Sequence, residues 1–138
     1  MKPGITNEQA DDLRDFIAAF ATERAKRRLL ALIETRKGRQ TIMSGLDHVS
    51  WLDPRSAVLV PFGSQTADHI ERMLLARGAP EVCRILSTDP ELNGTGTSLK
   101  KALSMVVAGG SGAVVLCIPG RLAYYESEEP RERYVCCK

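Results

Sequence analysis

Three short apolar runs separated by helical patterns constrain the fold of this chain more than any other feature. The runs span residues 57–62, 82–86 and 113–118, and the last is the most strand-like segment of the sequence. Each of the first two is followed by a polar loop and then by apolar residues at helical spacing. Alternating strands and helices at this spacing are typical of crossover units on a parallel sheet. We therefore predict an α/β fold with a mixed, mainly parallel sheet of about five strands.

The end of the chain predicts a β-hairpin added to that sheet. Residues 122–125 and 133–137 have strand-like composition, and residues 127–130 between them form a polar turn. Pro119-Gly120 separates the hairpin from the preceding strand. Charged residues flank the turn, which suits an exposed sheet edge because charge there hinders pairing with other chains.

The first third of the chain predicts helices. Thr6 and Gln9 have the spacing of a capping box, which starts a helix near Asn7. Apolar residues then recur on one helical face up to Phe20, but a few residues later that face carries arginine and the apolar residues lie opposite. Either the helix breaks near Thr22-Glu23, or each half packs on a different partner, one of them a second subunit.

The length of 138 residues is that of one ordinary domain. We divide it into a helical N-terminal segment, residues 7–52, and a sheet-forming core, residues 57–138. Lys37-Gly38 is expected to end the first helical region, and Asp53-Pro54 a shorter helix after it. Only 5% of the residues are aromatic, so the core has to be largely aliphatic.

Two polar loops are expected to meet at one end of the predicted sheet. Ligands of open parallel sheets bind outside the carboxyl ends of the strands, which places residues 63–66 near residues 87–98. Glycines and small hydroxyl groups there let a phosphate or carboxylate approach backbone N–H groups. Arg121 could reach the same anion. The candidate ligand-binding residues are Ser64, Gln65, Ser87, Asp89, Asn93, Gly94, Thr95, Gly96, Thr97 and Arg121.

A simpler interpretation of these loops is helix capping by Ser64, Thr66 and Thr97, with a turn at Asn93-Gly94. No P-loop and no GxGxxG motif after a strand occurs, and spacing identifies no set of nucleophile, base and orienting group. The sequence therefore favours a non-catalytic binding or regulatory module that holds an anionic ligand at residues 87–98.

The alternative is a small enzyme acting on a phosphorylated or nucleotide-like substrate, with Asp89 or His69 as its acid–base group. Whether any reaction is catalysed stays open at this point.

Residues 23–39 contain seven basic and two acidic residues. Arg24, Arg27 and Arg28 could pair with acidic residues 11, 12 and 15 of an antiparallel copy, which predicts a homodimer through the N-terminal helix. A second alternative is nucleic-acid binding through the basic stretch at residues 24–39, because lysine and arginine contact phosphates. No aromatic residue is interleaved to stack on bases, so an ordinary solvated helix face is the simplest interpretation.

The four cysteines form no metal-binding or redox motif. Adjacent Cys136 and Cys137 point to opposite faces of a strand, and Cys83 and Cys117 lie in apolar runs where they are expected to pack in the core. No metal or other cofactor is predicted.

No apolar run approaches the ~20 residues needed to span a bilayer. Residues 1–8 lack the apolar centre of a signal peptide. We therefore expect a cytoplasmic protein with reduced thiols and no membrane partner.

Overall fold

The computed structural model describes residues 6–129 and 131–138, which contain five α-helices and six β-strands. The helices are α1 (Asn7–Phe20), α2 (Glu23–Ile33), α3 (Arg36–Ser44), α4 (Ala67–Leu75) and α5 (Leu99–Val106). The strands are β1 (Ala57–Leu59), β2 (Val82–Ser87), β3 (Gly96–Ser98), β4 (Ala113–Ile118), β5 (Leu122–Glu126) and β6 (Arg133–Cys137). Single 3-10 turns follow α3 and β1.

All neighbouring strands of the sheet are antiparallel, in the order β1-β6-β5-β4-β2-β3. The prediction of a mixed, mainly parallel sheet is therefore wrong. The physical reason is β3, a three-residue strand inside the segment that the sequence predicts to be an open loop. It reverses the chain before α5, so that β4 returns antiparallel to β2. β1 and β2 do run in the same direction, but β6, β5 and β4 lie between them.

The predicted C-terminal hairpin is present as β5 and β6, paired from Leu122↔Cys137 to Glu126↔Arg133. It does not lie at the edge of the sheet, as the charged turn suggested, because β1 pairs with the outer side of β6. The edges are instead β1 and β3. The apolar run at 57–62, for which such composition predicts a buried strand, contains only the three-residue β1, in which Val58 and Leu59 are exposed.

Helices cover both faces of the sheet. Alternation along β4 sends Val114 and Leu116 toward α1–α3, and Val115 and Cys117 toward α4 and α5. Each face has its own apolar core, so the domain has three layers, with the sheet in the middle.

The predicted capping box is confirmed at Thr6 and Gln9. The helix breaks where the apolar stripe shifts, because α1 ends at Phe20 and the Thr22 hydroxyl accepts a hydrogen bond from the first turn of α2. The apolar residues of both helices, Phe20 and Leu29 among them, enter the same core. The break alone explains the shift of the stripe, without a second subunit.

Lys37-Gly38 does not end a helix. α2 ends at Ile33, and Thr35 caps α3. Gly38 lies inside α3, where a Cβ atom would overlap the carbonyl oxygen of Leu32. This glycine therefore permits the close approach of α2 and α3. Its position in the sequence does not distinguish a glycine at such a contact from a glycine that ends a helix.

An ion pair between a buried carboxylate and a half-exposed guanidinium joins α1 to the sheet. The guanidinium of Arg84 on β2 donates to both carboxylate oxygens of Asp12, with an Nε–Oδ2 distance of 2.8 Å. Its Nη1 lies 3.2 Å from the carboxylate of Glu8. Asp12 is only 5% exposed, and two parallel N–H···O bonds fix both distance and orientation.

We expect Asp12→Ala to lower the free energy of unfolding by about 1–2 kcal/mol, because Arg84 loses a bidentate partner but stays partly hydrated. Urea titration measures this change. The control is Asp11→Ala, which removes an exposed carboxylate paired with Arg14 and should change stability by less than about 0.5 kcal/mol. Equal effects of the two substitutions would show that the pair does not anchor α1.

Candidate functional site

The polar side chains of the 87–98 loop bind the loop to itself. The amide oxygen of Asn93 accepts from the backbone N–H of Ser87 at 3.1 Å, and the Ser87 hydroxyl accepts from the N–H of Asp89 at 3.0 Å. The Asp89 carboxylate in turn accepts from the N–H of Glu91 at 3.0 Å. Three candidate residues therefore have a structural use as turn-forming groups.

The backbone N–H groups of the loop are also hydrogen-bonded internally. Gly94 donates to Ile85 at 2.7 Å, and Thr95 donates to Leu92 at 3.1 Å. Gly94 has a φ of +80°, which glycine adopts without strain. An anion at this point would have to displace these bonds rather than find free donors.

The remaining residues of the loop belong to β3 and the start of α5. Gly96 and Thr97 pair with Arg84 and Cys83 of β2. Ser98, not Thr97, caps α5, through a hydrogen bond of 3.2 Å from the N–H of Lys101.

The structure does not bring the two predicted loops together. The ends of β1 and β2 face the same way, but four strand spacings separate them, about 19 Å. Ser64 and Gln65 follow β1, where the Gln65 side chain donates to the carbonyl of Val60 at 3.2 Å. Arg121 follows β4 and so lies at the opposite end of the strands from the loop. Ligand binding by this set stays a prediction.

The two acid–base candidates of the enzyme hypothesis are divided in the same way. His69 lies in the first turn of α4, after β1, and Asp89 follows β2. The two candidate acid–base residues therefore follow strands that are not neighbours in the sheet.

A buried polar cluster that the sequence analysis missed lies beneath the α5–β4 connection. The Tyr124 hydroxyl donates to Glu126 Oε1 at 2.7 Å, and the N–H of Ala108 donates to the same oxygen at 3.3 Å. Arg133 Nε lies 3.8 Å from it. Glu126 is 1% exposed, and burial raises the pKa of its carboxyl.

This cluster is enclosed, and within the described residues Glu126 Oε2 and Arg133 Nε have no hydrogen-bond partner. Its position predicts a role in stability rather than contact with a substrate. Strand alternation was the signal that could have predicted the burial of Glu126, because Glu126 is two residues from Tyr124 and lies on the same face of the strand. The charged sequence around the turn indicated exposure instead.

Glu126 should make stability depend on pH. Its pKa is raised in the folded state, so its contribution is fully present below the ordinary value of 4.5 and is lost as pH rises through the raised folded value. Each unit of that increase corresponds to about 1.4 kcal/mol. We expect Glu126→Gln to flatten the decline of the melting temperature as the pH rises above 4.5.

The matched control for that measurement is Glu128→Gln, an exposed acid in the same hairpin, which should leave the pH profile unchanged. A decline that is equally steep in Glu126→Gln and the wild type would assign the pH dependence to another group.

Five cations on α2 and α3 are exposed to solvent. Arg24, Arg27 and Arg28 recur on one face of α2. Arg36 and Lys37 are the first residues of α3, which is separated from α2 by two residues. No ion pair to any of them occurs among residues 6–129 and 131–138. We refer to these five residues as the basic surface.

The acids that a helix dimer was expected to offer this surface are largely engaged within the chain. Asp12 binds Arg84, and the Asp11 carboxylate accepts from Arg14 at 2.7 Å. Of the three, only Asp15 has no partner among the salt bridges in the described part of the chain.

The cysteines are free thiols, and the core positions predicted for Cys83 and Cys117 are confirmed. Burial raises the pKa of Cys83 to about 11 and that of Cys117 to about 12, so both stay protonated at neutral pH. Among the residues that the structure describes, no three His, Cys, Asp or Glu side chains are grouped as a metal site requires.

No helix in the described ranges combines the length and the apolar content that a membrane crossing demands. The architecture defines a three-layer domain with an antiparallel sheet between two helical layers. Comparison with known proteins adds no relative: no family model matches the chain, and neither a curated protein nor a solved structure is significantly similar to it.

Proposed function

We propose that this protein is a non-catalytic binding module that contacts the phosphate backbone of nucleic acid through the basic surface. The observation that supports this proposal is the accumulation on two adjacent helices of five exposed cations that have no ion-pair partner in the described part of the chain. The chain as a whole carries a formal charge of only +2, so its positive charge is concentrated here. A localised basic surface attracts a polyanion even when the net charge is small.

The two helices hold these side chains on a rigid base. Leu29 and Ile33 of α2 and Ile42 and Met43 of α3 are buried in the core on the α1–α3 side of the sheet. The hydroxyl groups of Thr22 and Thr35 cap the N-termini of α2 and α3 and reduce fraying of their first turns. The charges therefore occupy defined positions without any ordering of a loop on binding.

The composition of the surface favours phosphate over other anionic partners. Four of the five residues are arginines, whose planar guanidinium binds phosphate through two parallel hydrogen bonds. None of the large exposed apolar residues lies on α2 or α3, so nothing there would insert into a lipid surface. No exposed aromatic residue accompanies the arginines, which favours backbone contact without base recognition.

We expect the wild-type protein to bind a fluorescein-labelled 20-base-pair DNA duplex in an anisotropy titration with a strong dependence on salt. Neutralising about five phosphates gives a slope of about −4.5 in a plot of log K against log salt concentration. The double substitution Arg27→Glu and Arg28→Glu should weaken binding at least tenfold and reduce the slope by about 2.

The control is the double substitution Arg72→Glu and Arg77→Glu. It makes the same change in formal charge at exposed positions in and just after α4, on the opposite side of the sheet. It should leave more than half of the binding free energy of the wild type intact. Equal losses in the two variants, or binding that does not depend on salt, would reject the basic surface as the contact.

Three other elements of the sequence-based hypothesis remain proposals with less support. These are a small anion at residues 87–98, a homodimer through the N-terminal helix, and a cytoplasmic location. The loop offers few free donors, and the apolar residues of α1 are used within the chain. An enzymatic role on a phosphorylated substrate also remains an alternative, and phosphate turnover by the purified protein would favour it.

A further inference from the structure

The edge strand β1 exposes apolar side chains that the core does not use. Leu59 is 53% exposed and Phe62, just after β1, is 73% exposed. Val58, the middle residue of β1, is exposed as well. Three of the five large exposed apolar residues in the described chain therefore fall within five consecutive positions. Edge strands in natural proteins are commonly protected by charge, and none is present in residues 57–60.

The backbone of β1 also has unused hydrogen-bonding groups. Val60 donates to Arg133 at 2.8 Å, and Ser56 accepts from Cys137 at 2.9 Å, so even-numbered residues face β6. In an antiparallel pair the intervening residues direct their N–H and C=O groups to the other side. Ala57 and Leu59 therefore present donors and acceptors to a further strand.

A cavity of about 270 Å³ opens beside this edge and would accept one apolar side chain. Its lining is mostly apolar, from Leu59, Val60 and Phe62, with Gln65 and Arg131 as the polar members. Gln65 is held in place by its hydrogen bond to Val60. Arg131 is exposed and has no ion-pair partner in residues 6–129 and 131–138, so it provides a free positive charge at the cavity.

We propose that β1 binds an extended peptide segment of a partner protein, in which an apolar side chain fills this cavity and a neighbouring carboxylate pairs with Arg131. The peptide adds a strand to the sheet through the outward groups of Ala57 and Leu59. The main-chain hydrogen bonds supply affinity, and the cavity with its single cation selects the side chains. This site is separate from the basic surface on α2 and α3.

A second copy of this chain fits the cavity less well than such a peptide. In a two-fold antiparallel pairing centred on β1, each copy presents Pro54 and Arg55 to the region of Phe62 and Arg131 in the other. The acid in this region is Asp53, and its carboxylate is already paired with Arg55 at an Nη2–Oδ2 distance of 2.9 Å, so it is not free to pair with Arg131. Charge complementarity therefore favours an acidic peptide as the occupant.

The test begins with a phage library of random dodecapeptides panned on the full-length protein. Enriched peptides should combine an apolar residue with a nearby Asp or Glu. The best of these, made synthetically, should slow hydrogen exchange at the amides of Ala57 and Leu59. Failure to enrich any peptide, or enrichment without acidic residues, would overturn the proposal.

Substitutions then locate the site. Leu59→Lys should lower the affinity for the synthetic peptide at least tenfold. The control is Val82→Lys, at a residue of β2 that is 66% exposed, and it should change the affinity less than twofold. Arg131→Glu should lower the affinity for the acidic peptide and raise the affinity for a version in which lysine replaces the acidic residue. Equal effects of Leu59→Lys and Val82→Lys would contradict the assignment.

Two further measurements separate this proposal from its competitors. Sedimentation that shows a dimer of the wild type and a monomer of Leu59→Lys would assign the edge to a second copy and overturn the peptide proposal. DNA binding should be unchanged in Leu59→Lys, and peptide binding unchanged in the Arg27→Glu, Arg28→Glu variant. Loss of peptide binding in that arginine variant would likewise overturn the assignment to β1.

Discussion

The burial of β4 and β5 on both faces is the constraint on which the rest of this structure depends. Tyr124 and Tyr125 are adjacent in β5, point to opposite sides, and are both fully buried. Each side of the sheet must therefore be covered by its own helices. The Tyr125 hydroxyl adds a polar link, because it donates to the carbonyl of Leu46 at 2.7 Å and accepts from the N–H of Val49 at 3.0 Å. This bridge ties the segment after α3 to the centre of the sheet.

The two proposed binding surfaces both follow from how that cover is arranged. The inner residues of α2 and α3 are used in the core, so their arginines are left facing solvent. The helices cover the centre of the sheet, at β4 and β5, more completely than its edge at β1. Leu59 and Phe62 are therefore exposed.

Local signals predicted much of the secondary structure and little of the sheet. The capping box at Thr6, the break before α2 and the C-terminal hairpin depend on residues close together in sequence, and all three are present. The three residues of β3 carry no apolar signal, and without them the helix before β4 is typical of a parallel crossover. Composition predicts an anion site at residues 87–98, with helix capping and a turn as the alternative, and it does not reveal the internal hydrogen bonds of this loop.

By itself the sequence determined where the first helix begins, where its apolar stripe shifts, and that Cys83 and Cys117 lie in apolar runs that enter the core. Capping and periodicity act over a few residues, so they can be read along the chain. Only the tertiary structure decided the order of the strands, the burial of Glu126 and the separation of the loops after β1 and β2. These depend on which distant segments pair to cover both faces of β4 and β5, and the same apolar runs are compatible with more than one such pairing.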